Sequence, residues 1–216
     1  MRYLELSEKN LTPVAHLTTE IMRNNGVVVL PTETQYGLSC CYEDIDSVYR
    51  INRIKGRPEK TPQIVLLRFE WVDRWLDQRY IPLAEALWPG PFSILVPTAS
   101  ENPFGTEKLC FRVSSHPFIE SLLEILGKPI TSTSANRTEQ QPLRFEKELK
   151  QTFSDHVDLI VHDRDDFPWS RKMRRNPPST MIDATDFPKS VKILRKGTSD
   201  LSELDRVFPG LEVIHV

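Results

Sequence analysis

The chain has 216 residues, of which 39% are hydrophobic and 27% are charged, and its formal net charge at pH 7 is −2. This composition is typical of a globular domain, and the slight acidic excess argues against bulk, non-specific binding of nucleic acid, which requires many surplus cations. No apolar stretch approaches the ~20 residues of a membrane-spanning helix, and the N-terminus lacks the apolar core of a signal peptide. Three cysteines, two of them adjacent, form neither a disulfide framework nor a metal-ligand spacing. We therefore expect a cytoplasmic protein in a reducing compartment, with no membrane partner.

The predicted elements alternate between strands and helices. Residues 26–30 form a short apolar run rich in valine, which is typical of a buried strand. After Asp44, which can act as an N-cap, isoleucine and valine recur at helical spacing up to Gly56, which ends the helix. In chain order, further strands are predicted at residues 64–67, 92–96, 109–113, 131–134, 157–161, 179–183 and 190–194, and further helices at 70–77, 81–87, 117–126 and 145–152.

The order of these elements predicts the fold class and the domain organisation. Several strands follow one another without room for a helical crossover, which indicates a mixed sheet with helices packed against it, in the α/β (α+β) class. We expect one domain over residues 1–198, followed by a short tail at 199–216. The one long irregular stretch, 162–178, is rich in Asp, Arg and Pro, and a loop of this length is typical of a lid, a binding loop or a variable insertion.

Several well-known nucleotide and catalytic motifs are absent from the sequence. It contains no Gly-x-x-x-x-Gly-Lys-Ser/Thr phosphate loop and no Gly-x-Gly-x-x-Gly dinucleotide motif. The Gly-x-Ser-x-Gly motif of serine hydrolases is also missing, and the five histidines are scattered rather than spaced as zinc ligands. We predict no metal site, and any nucleotide would have to be held by dispersed cations, hydroxyls and backbone groups.

Such groups lie at the predicted ends of strands and helices. Two threonines and a tyrosine follow the strand 26–30, and Lys55 and Arg57 flank the glycine that ends the helix. Two cations so spaced can both reach one polyanion, and arginine can bind it in bidentate fashion. A run of small hydroxyls, 131–134, precedes Asn136. Each stretch alone is also typical of a helix cap or a solvated surface, so their combination carries the prediction.

Taken together, these stretches resemble the YrdC family of threonylcarbamoyl-AMP synthases. The resemblance extends from about residue 15 to residue 198 and includes seven short motifs in the same order. The motifs are Pro-Thr-Glu-Thr-x-Tyr-Gly-Leu at 31–38, Lys-Gly-Arg-Pro at 55–58, Trp-Pro-Gly-Pro at 88–91, Arg-Val-x-x-His-Pro at 112–117, Ser-Thr-Ser-Ala-Asn at 132–136, Ser-Thr-x-x-Asp at 179–183 and Leu-Arg-x-Gly at 194–197.

The resemblance implies a fold, a reaction and a set of partners. It implies a twisted YrdC-like sheet with a concave, basic face. The implied enzyme is a nucleotidyltransferase that makes threonylcarbamoyl-AMP and pyrophosphate from L-threonine, bicarbonate and ATP, for modification of tRNA. A tRNA or a tRNA-modifying transferase would then be a partner, and RNA binding is part of this expectation. Mg²⁺ would arrive bound to the ATP.

The resemblance also implies roles for individual residues. Lys55 and Arg57 would neutralise the phosphates and act as the catalytic pair, and Tyr36 would shape the pocket wall. The nucleotide would be held by Ser134, Asn136 and Arg195, with Thr61 at a further nucleotide contact. Threonine would be held by Thr32, Arg112, Ser132 and Ser179, with Arg112 as the partner of its carboxylate.

Two departures from the family pattern keep alternatives open. Thr61 replaces an asparagine that contacts the nucleotide, and Leu66 replaces a histidine near the amino acid. Because leucine offers no hydrogen bond, its presence could alter the selection of the amino acid. One alternative is a divergent YciO-like paralogue that acts on another carbamate. Another is a non-catalytic RNA- or ribosome-binding protein that uses the same basic concavity.

Overall fold

The computed structural model describes residues 2–98, 102–138, 140–170 and 177–215. Strands β1 to β11 are Arg2–Leu6, Val28–Leu30, Gly37–Cys41, Ile64–Leu66, Phe92–Pro97, Lys108–Arg112, Ile130–Ser134, Leu159–Asp163, Thr180–Asp183, Ser190–Arg195 and Glu212–His215. Helices α1 to α7 are Leu11–Arg23, Ile45–Lys55, Val72–Trp75, Ile81–Leu87, Pro117–Leu126, Glu146–Phe153 and Ser202–Val207, and two 3₁₀ turns span Phe69–Trp71 and Gln78–Tyr80.

All eleven strands belong to one sheet, in the order β1-β8-β2-β3-β7-β4-β6-β5-β9-β10-β11. Parallel and antiparallel pairs are interspersed: β2 pairs antiparallel with β3 and parallel with β8, and β4 pairs antiparallel with β7 and parallel with β6. The prediction of a mixed sheet with flanking helices is therefore confirmed.

Helix α2 shows how local sequence places a functional residue. The Asp44 carboxylate accepts a hydrogen bond from the Ser47 backbone N–H at 3.1 Å, as an N-cap does. Gly56 ends the helix in the left-handed conformation, with φ of 69°, which glycine adopts without a steric penalty. Both predicted helix boundaries are confirmed, and the sharp end at Gly56 directs the chain toward Arg57.

The two faces of the sheet are covered unequally. On one face, apolar side chains from α2, α3, α4, α6 and α7 pack against β2 to β6 and β8 to β10 in one large core. On the other face, α1 and α5 pack together over β1, β2, β3, β4, β7 and β8 only. Among the described residues, none of this second core comes from β5, β6, β9 or β10. This face is therefore open beyond the helix pair, and the open part provides space for a ligand.

Several elements differ from the predictions. Strands β1, β3 and β11 and helices α1 and α7 were not predicted, and the predicted helix 70–77 is a 3₁₀ turn followed by the four-residue helix α3. Strand β8 begins two residues later than predicted and includes residues 162 and 163. Of the predicted loop 162–178, residues 171–176, which carry its basic cluster, lie outside the described residues.

The segment predicted as a tail contributes to the sheet. Leu204 of α7 and the nearby Leu211 are buried in the large core. Strand β11 follows and pairs in parallel with β10, so it forms one edge of the sheet. In the described part of the chain, no helix is both long and apolar enough to cross a bilayer.

Candidate active site

A cleft of about 190 Å³ lies on the open part of the sheet. The cleft lies where several elements end: the carboxyl-terminal ends of α2, β2, β6 and β10, and the carboxyl-terminal half of β7. Eight of the predicted site residues line this cleft: Thr32, Tyr36, Arg57, Arg112, Ser132, Ser134, Ser179 and Arg195. The described residues of its lining include three arginines and no carboxylate, histidine or cysteine. The cleft is therefore suited to an anionic ligand, and its lining offers no usual metal ligand.

One end of the cleft contains a buried ion pair. The Arg112 Nη2 atom lies 2.5 Å from Glu33 Oε1, and both side chains are only 6% exposed. Arg112 also donates through Nη1 to Thr34 Oγ1 at 3.0 Å and through Nε to the Gly90 carbonyl at 3.2 Å. The described contacts thus use three of the five N–H groups of the guanidinium. Two donors remain for a ligand, while the charge of Arg112 is already balanced.

Glu33 is a residue of the candidate site that was not predicted from the sequence. Burial alone would raise its pKa, but the charge of Arg112 and hydrogen bonds from Ser114 and Arg112 hold the pKa of the Glu33 carboxyl below its usual value. Glu33 therefore remains an anion and fixes the guanidinium. The only sequence signal was its place inside the motif at 31–38, because its partner lies 79 residues away.

Thr32 organises the turn that follows β2. Its hydroxyl donates to the Gln35 carbonyl at 2.7 Å and accepts from the backbone N–H groups of Thr34 and Gln35. The neighbouring Tyr36 is buried, and its hydroxyl accepts a hydrogen bond from the Asp163 backbone N–H at 3.2 Å. Both residues line the cleft, and these contacts make the turn a rigid wall of it.

Lys55 lies beside the other end of the cleft but is not part of its lining. Its ammonium donates to the Ser134 carbonyl at 2.6 Å, the Asn136 carbonyl at 2.8 Å and Asn136 Oδ1 at 3.0 Å. These contacts match the three N–H groups of a lysine and clamp the turn that follows β7. Burial, assisted by the charge of Arg57, lowers the pKa of Lys55 to about 8.

Asn136 and Thr61 also lie outside the lining of the cleft. The Asn136 amide accepts a hydrogen bond from the Ser134 hydroxyl at 2.5 Å and donates to the Gln140 carbonyl at 2.6 Å. Thr61 donates its hydroxyl to the Pro58 carbonyl at 2.6 Å. In the structure, both side chains therefore stabilise turns that border the cleft.

Arg57 enters the cleft with an unsatisfied donor. Its Nε donates to Asn52 Oδ1 at 2.8 Å, while its Nη2 is buried and has no hydrogen-bond partner within the described part of the chain. Burial lowers the pKa of Arg57 to about 10, although the guanidinium remains charged at neutral pH. A partly buried cation with an unsatisfied donor is costly, so a ligand with negative charge would be favoured here.

Arg195 and Ser179 form the far wall of the cleft. Arg195 donates through Nε to the Ser179 carbonyl at 3.1 Å and through Nη2 to the Ser179 hydroxyl at 3.0 Å. Burial, together with the positive charge of Arg112, lowers the pKa of Arg195. The Ser179 hydroxyl lies 2.8 Å from that of Ser93, so this wall is held by a short network of polar contacts.

Leu66, one of the two departures noted in the sequence, and the nearby Gln63 both line the cleft. Leu66 is 2% exposed and lies between the cleft and the core beneath α5, so it contributes an apolar wall. Gln63, which the sequence analysis also passed over, lines the cleft and donates to Asn52 Oδ1 at 3.0 Å. It thereby helps to hold the same asparagine that positions Arg57.

The chain was compared with known families and proteins. The Sua5/YciO/YrdC family model, described as telomere recombination, matches residues 20–197. A threonylcarbamoyl-AMP synthase of Halorhodospira halophila is 33% identical over 162 residues, which cover 70% of this chain and 83% of that protein. A threonylcarbamoyl-AMP synthase of Vibrio campbellii is 27% identical over 186 residues, covering 82% of this chain and 95% of that protein.

Two solved structures show the same fold over nearly the whole chain. Sua5 of P. abyssi, solved with L-threonine, is 25% identical with a TM-score of 0.85; the match covers 99% of this chain and 62% of Sua5. This chain thus spans less than two thirds of that relative. YciO of E. coli is 25% identical with a TM-score of 0.77, covering 94% of this chain and 97% of YciO. The predicted resemblance is confirmed, and the chain belongs to the Sua5/YciO/YrdC family.

Proposed function

We propose that this chain is an L-threonylcarbamoyladenylate synthase, a nucleotidyltransferase that uses ATP. The single observation that supports this most is the cleft itself. It is lined by the fixed, charge-balanced guanidinium of Arg112 and by that of Arg57, whose Nη2 has no partner among the described residues. The first can bind a carboxylate and the second a phosphate. Two relatives carry the name of this synthase, and Sua5 was solved with L-threonine, which fits an amino acid at the first position.

The proposed reaction has two chemical steps. The amine of threonine attacks bicarbonate and water leaves, which gives a carbamate. A carbamate oxygen then attacks the α-phosphorus of ATP, the bond to the β-phosphate oxygen breaks and pyrophosphate leaves. Such transfers depend mainly on positioning and on stabilisation of charge rather than on a dedicated base. This requirement fits a cleft lined by arginines and hydroxyls.

We assign the nucleotide to the end of the cleft near α2. Arg57 would bind the phosphates through its unpaired Nη2, and Arg195 and Ser134 would contact the rest of the nucleotide. Lys55 would act by clamping the turn of Ser134 and Asn136, in addition to the charge that it supplies. Thr61 would border the same end. Mg²⁺ would arrive with the ATP, since the described lining offers no carboxylate to hold it.

We assign threonine to the end near β6. Arg112 would bind its carboxylate with the two N–H groups that are left, and Ser132 and Ser179 would supply further hydrogen bonds. Thr32 and Tyr36 would shape the wall around its side chain. The labile adenylate would then pass to a transferase that acts on tRNA, in the cytoplasm.

The second candidate is a YciO-like enzyme that adenylates a different carbamate. It is favoured by Leu66, which gives the amino-acid end an apolar wall at a position where a histidine was expected. The similarity to E. coli YciO over 94% of this chain is consistent with either candidate.

The test is release of pyrophosphate from ATP with and without bicarbonate and L-threonine, with serine and other amino acids in parallel. We expect release that requires both threonine and bicarbonate, and formation of threonylcarbamoyl-AMP detected by mass spectrometry. Arg57→Gln, purified identically, controls for contaminating ATPases. Release with another amino acid alone would support the YciO-like candidate, and no release with any amino acid would contradict both.

A further inference from the structure

A buried polar pair lies beside the amino-acid end of the cleft. His116 immediately precedes α5, and Asp163 is the last residue of β8. Both side chains are fully buried, and the imidazole Nε2 of His116 lies 3.3 Å from Asp163 Oδ2. Neither residue belongs to the lining of the cleft, and the proposed reaction gives neither of them a role. A pair buried this deeply needs a physical reason, because the removal of polar groups from water is costly.

The surroundings of His116 fix the direction of its hydrogen bonds. The Phe118 backbone N–H donates to His116 Nδ1 at 3.3 Å, so the imidazole caps α5. Nδ1 is therefore an acceptor without a proton, and the proton lies on Nε2, which donates to Asp163. The ring centres of Phe167 and Trp169 lie 5.8 and 5.3 Å from that of the imidazole, and their packing restricts its rotation. His116 thus joins the start of α5 to the end of β8 in one defined geometry.

A first chain of hydrogen bonds connects His116 to Arg112. The His116 backbone N–H donates to the Ser114 hydroxyl at 3.2 Å, and this hydroxyl donates to Glu33 Oε2. Glu33 in turn balances the charge of Arg112 and holds its guanidinium. Both intermediates are buried, so water does not compete for these contacts. The position of His116 therefore affects the arginine that lines the cleft.

A second connection joins Asp163 to Tyr36. The Asp163 backbone N–H donates to the Tyr36 hydroxyl at 3.2 Å, and Tyr36 lines the cleft. The contact between Asp163 and His116 sets where this N–H lies relative to α5. The second carboxylate oxygen, Asp163 Oδ1, is buried and has no hydrogen-bond partner among the described residues. An unsatisfied buried oxygen weakens a fold, so stability alone does not explain the pair.

From these two connections we propose that His116 and Asp163 are positioning residues for the amino-acid end of the cleft. They hold Arg112 and Tyr36 in a fixed relation, so that the guanidinium meets the carboxylate of the amino acid in the correct orientation. This role rests on the proposed function, which makes an amino acid the ligand of this end. Loss of the pair should therefore weaken the use of the amino acid and leave ATP unaffected, because a small misplacement of a binding group is enough to lower activity.

The experiment compares the KM values for threonine and for ATP in pyrophosphate release by the full-length protein. His116→Asn keeps an oxygen that can cap α5, but its side chain is too short to reach Asp163. We expect the KM for threonine to rise about tenfold or more, while the KM for ATP changes less than about twofold. If the wild type uses another amino acid, the KM for that amino acid is measured instead.

Two further variants serve as controls for His116→Asn. Asp163→Asn keeps an oxygen that accepts from His116 Nε2, so its KM for threonine should stay within about twofold of the wild-type value. His16→Asn makes the same substitution at an exposed histidine and should have no effect on either KM. Together they separate loss of the contact between His116 and Asp163 from loss of a charge or of any histidine.

Ser114→Ala and a spectroscopic measurement keep the test valid where His116→Asn fails to fold. Ser114→Ala breaks the first connection and leaves the buried pair intact, and its KM for threonine should rise several-fold. Nuclear magnetic resonance of the histidine rings in the wild type needs no enzyme activity. A long-range ¹H–¹⁵N spectrum should show the proton of His116 on Nε2.

Three outcomes would overturn the positioning role alone. The first is a wild-type KM for the amino acid in the folded variants among His116→Asn and Ser114→Ala. The second is an equal rise in the KM values for the amino acid and for ATP, which would indicate a general loss of structure. The third is a proton on Nδ1 of His116. A wild type that releases no pyrophosphate with any amino acid would instead overturn the proposed function, and the positioning role with it.

Discussion

The two ends of the cleft hold their arginines in opposite ways. At the amino-acid end, Arg112 is balanced by the buried carboxylate of Glu33 and held by Thr34 and Gly90. At the proposed nucleotide end, Arg57 is oriented by the neutral Asn52, and its buried Nη2 has no hydrogen-bond partner in the part of the chain that the structure describes. Charge is cancelled where a single carboxylate would bind and left uncompensated where a polyphosphate would bind. Under the proposed function, shape and hydrogen bonds would select the amino acid, whereas charge would attract the nucleotide.

The largest effect should follow the loss of Glu33. Glu33→Ala would leave the guanidinium of Arg112 buried without its anion, and breaking a buried ion pair in this way costs about 3–5 kcal/mol of stability. Urea denaturation monitored by fluorescence measures the loss. As a control, Glu43→Ala removes the exposed partner of Lys128, a pair that is more than half exposed and screened by solvent, and should cost far less stability than Glu33→Ala. Equal losses in the two variants would contradict the buried-pair interpretation.

Arg57 should have the next largest effect, and on catalysis rather than on stability. Arg57→Gln would remove the unpaired charge from the nucleotide end, and loss of one such stabilising donor typically lowers the rate about 10²–10³-fold. Steady-state pyrophosphate release at varied ATP measures the change. The matched control is Arg53→Gln, which removes an arginine of the preceding helix α2 whose side chain is 64% exposed and should leave the rate nearly unchanged. A similar loss in both variants would argue against a specific role for Arg57.

Lys55 should make the nucleotide end sensitive to pH. Its folded-state pKa is lowered to about 8, so the free protein loses the Lys55 proton as the pH rises through this value. Deprotonation removes one donor from the clamp on Ser134 and Asn136 and one positive charge from the site. We therefore expect kcat/KM for ATP to fall above pH 8, since this parameter reports groups of the free enzyme. A profile that stays flat to pH 10, or one that is unchanged in Lys55→Arg, would contradict this assignment.

The sequence allowed much of this site to be predicted, and physical reasons explain the rest. The N-cap Asp44 and the terminal Gly56 are local signals, and they correctly fixed the helix that positions Arg57. By contrast, Glu33 meets Arg112 across 79 residues, and Lys55 meets the turn after β7 across a similar distance. Strand β3, Gly-Leu-Ser-Cys-Cys, lacks the β-branched residues typical of strands, and only its pairing with β2 and β7 defines it. The ion pair of Glu33, the contacts of Lys55 and the strand β3 all depend on residues that are distant in the sequence. A local sequence pattern therefore does not predict them.

The smallest predicted effect concerns the wall at the amino-acid end. Leu66→His would place a hydrogen-bonding group beside the threonine position, and one additional hydrogen bond is worth about 0.5–1.5 kcal/mol, or roughly a two- to tenfold lower KM for threonine. The KM for ATP should not change, because Leu66 belongs to the end of the cleft that selects by shape and hydrogen bonds. Kinetics with threonine and serine measure the effect, and Leu66→Met controls for altered packing of this buried side chain. A lower KM for ATP would show that the two ends are not independent, and an equal change in the KM for threonine in Leu66→Met would attribute the effect to packing instead of to a hydrogen bond.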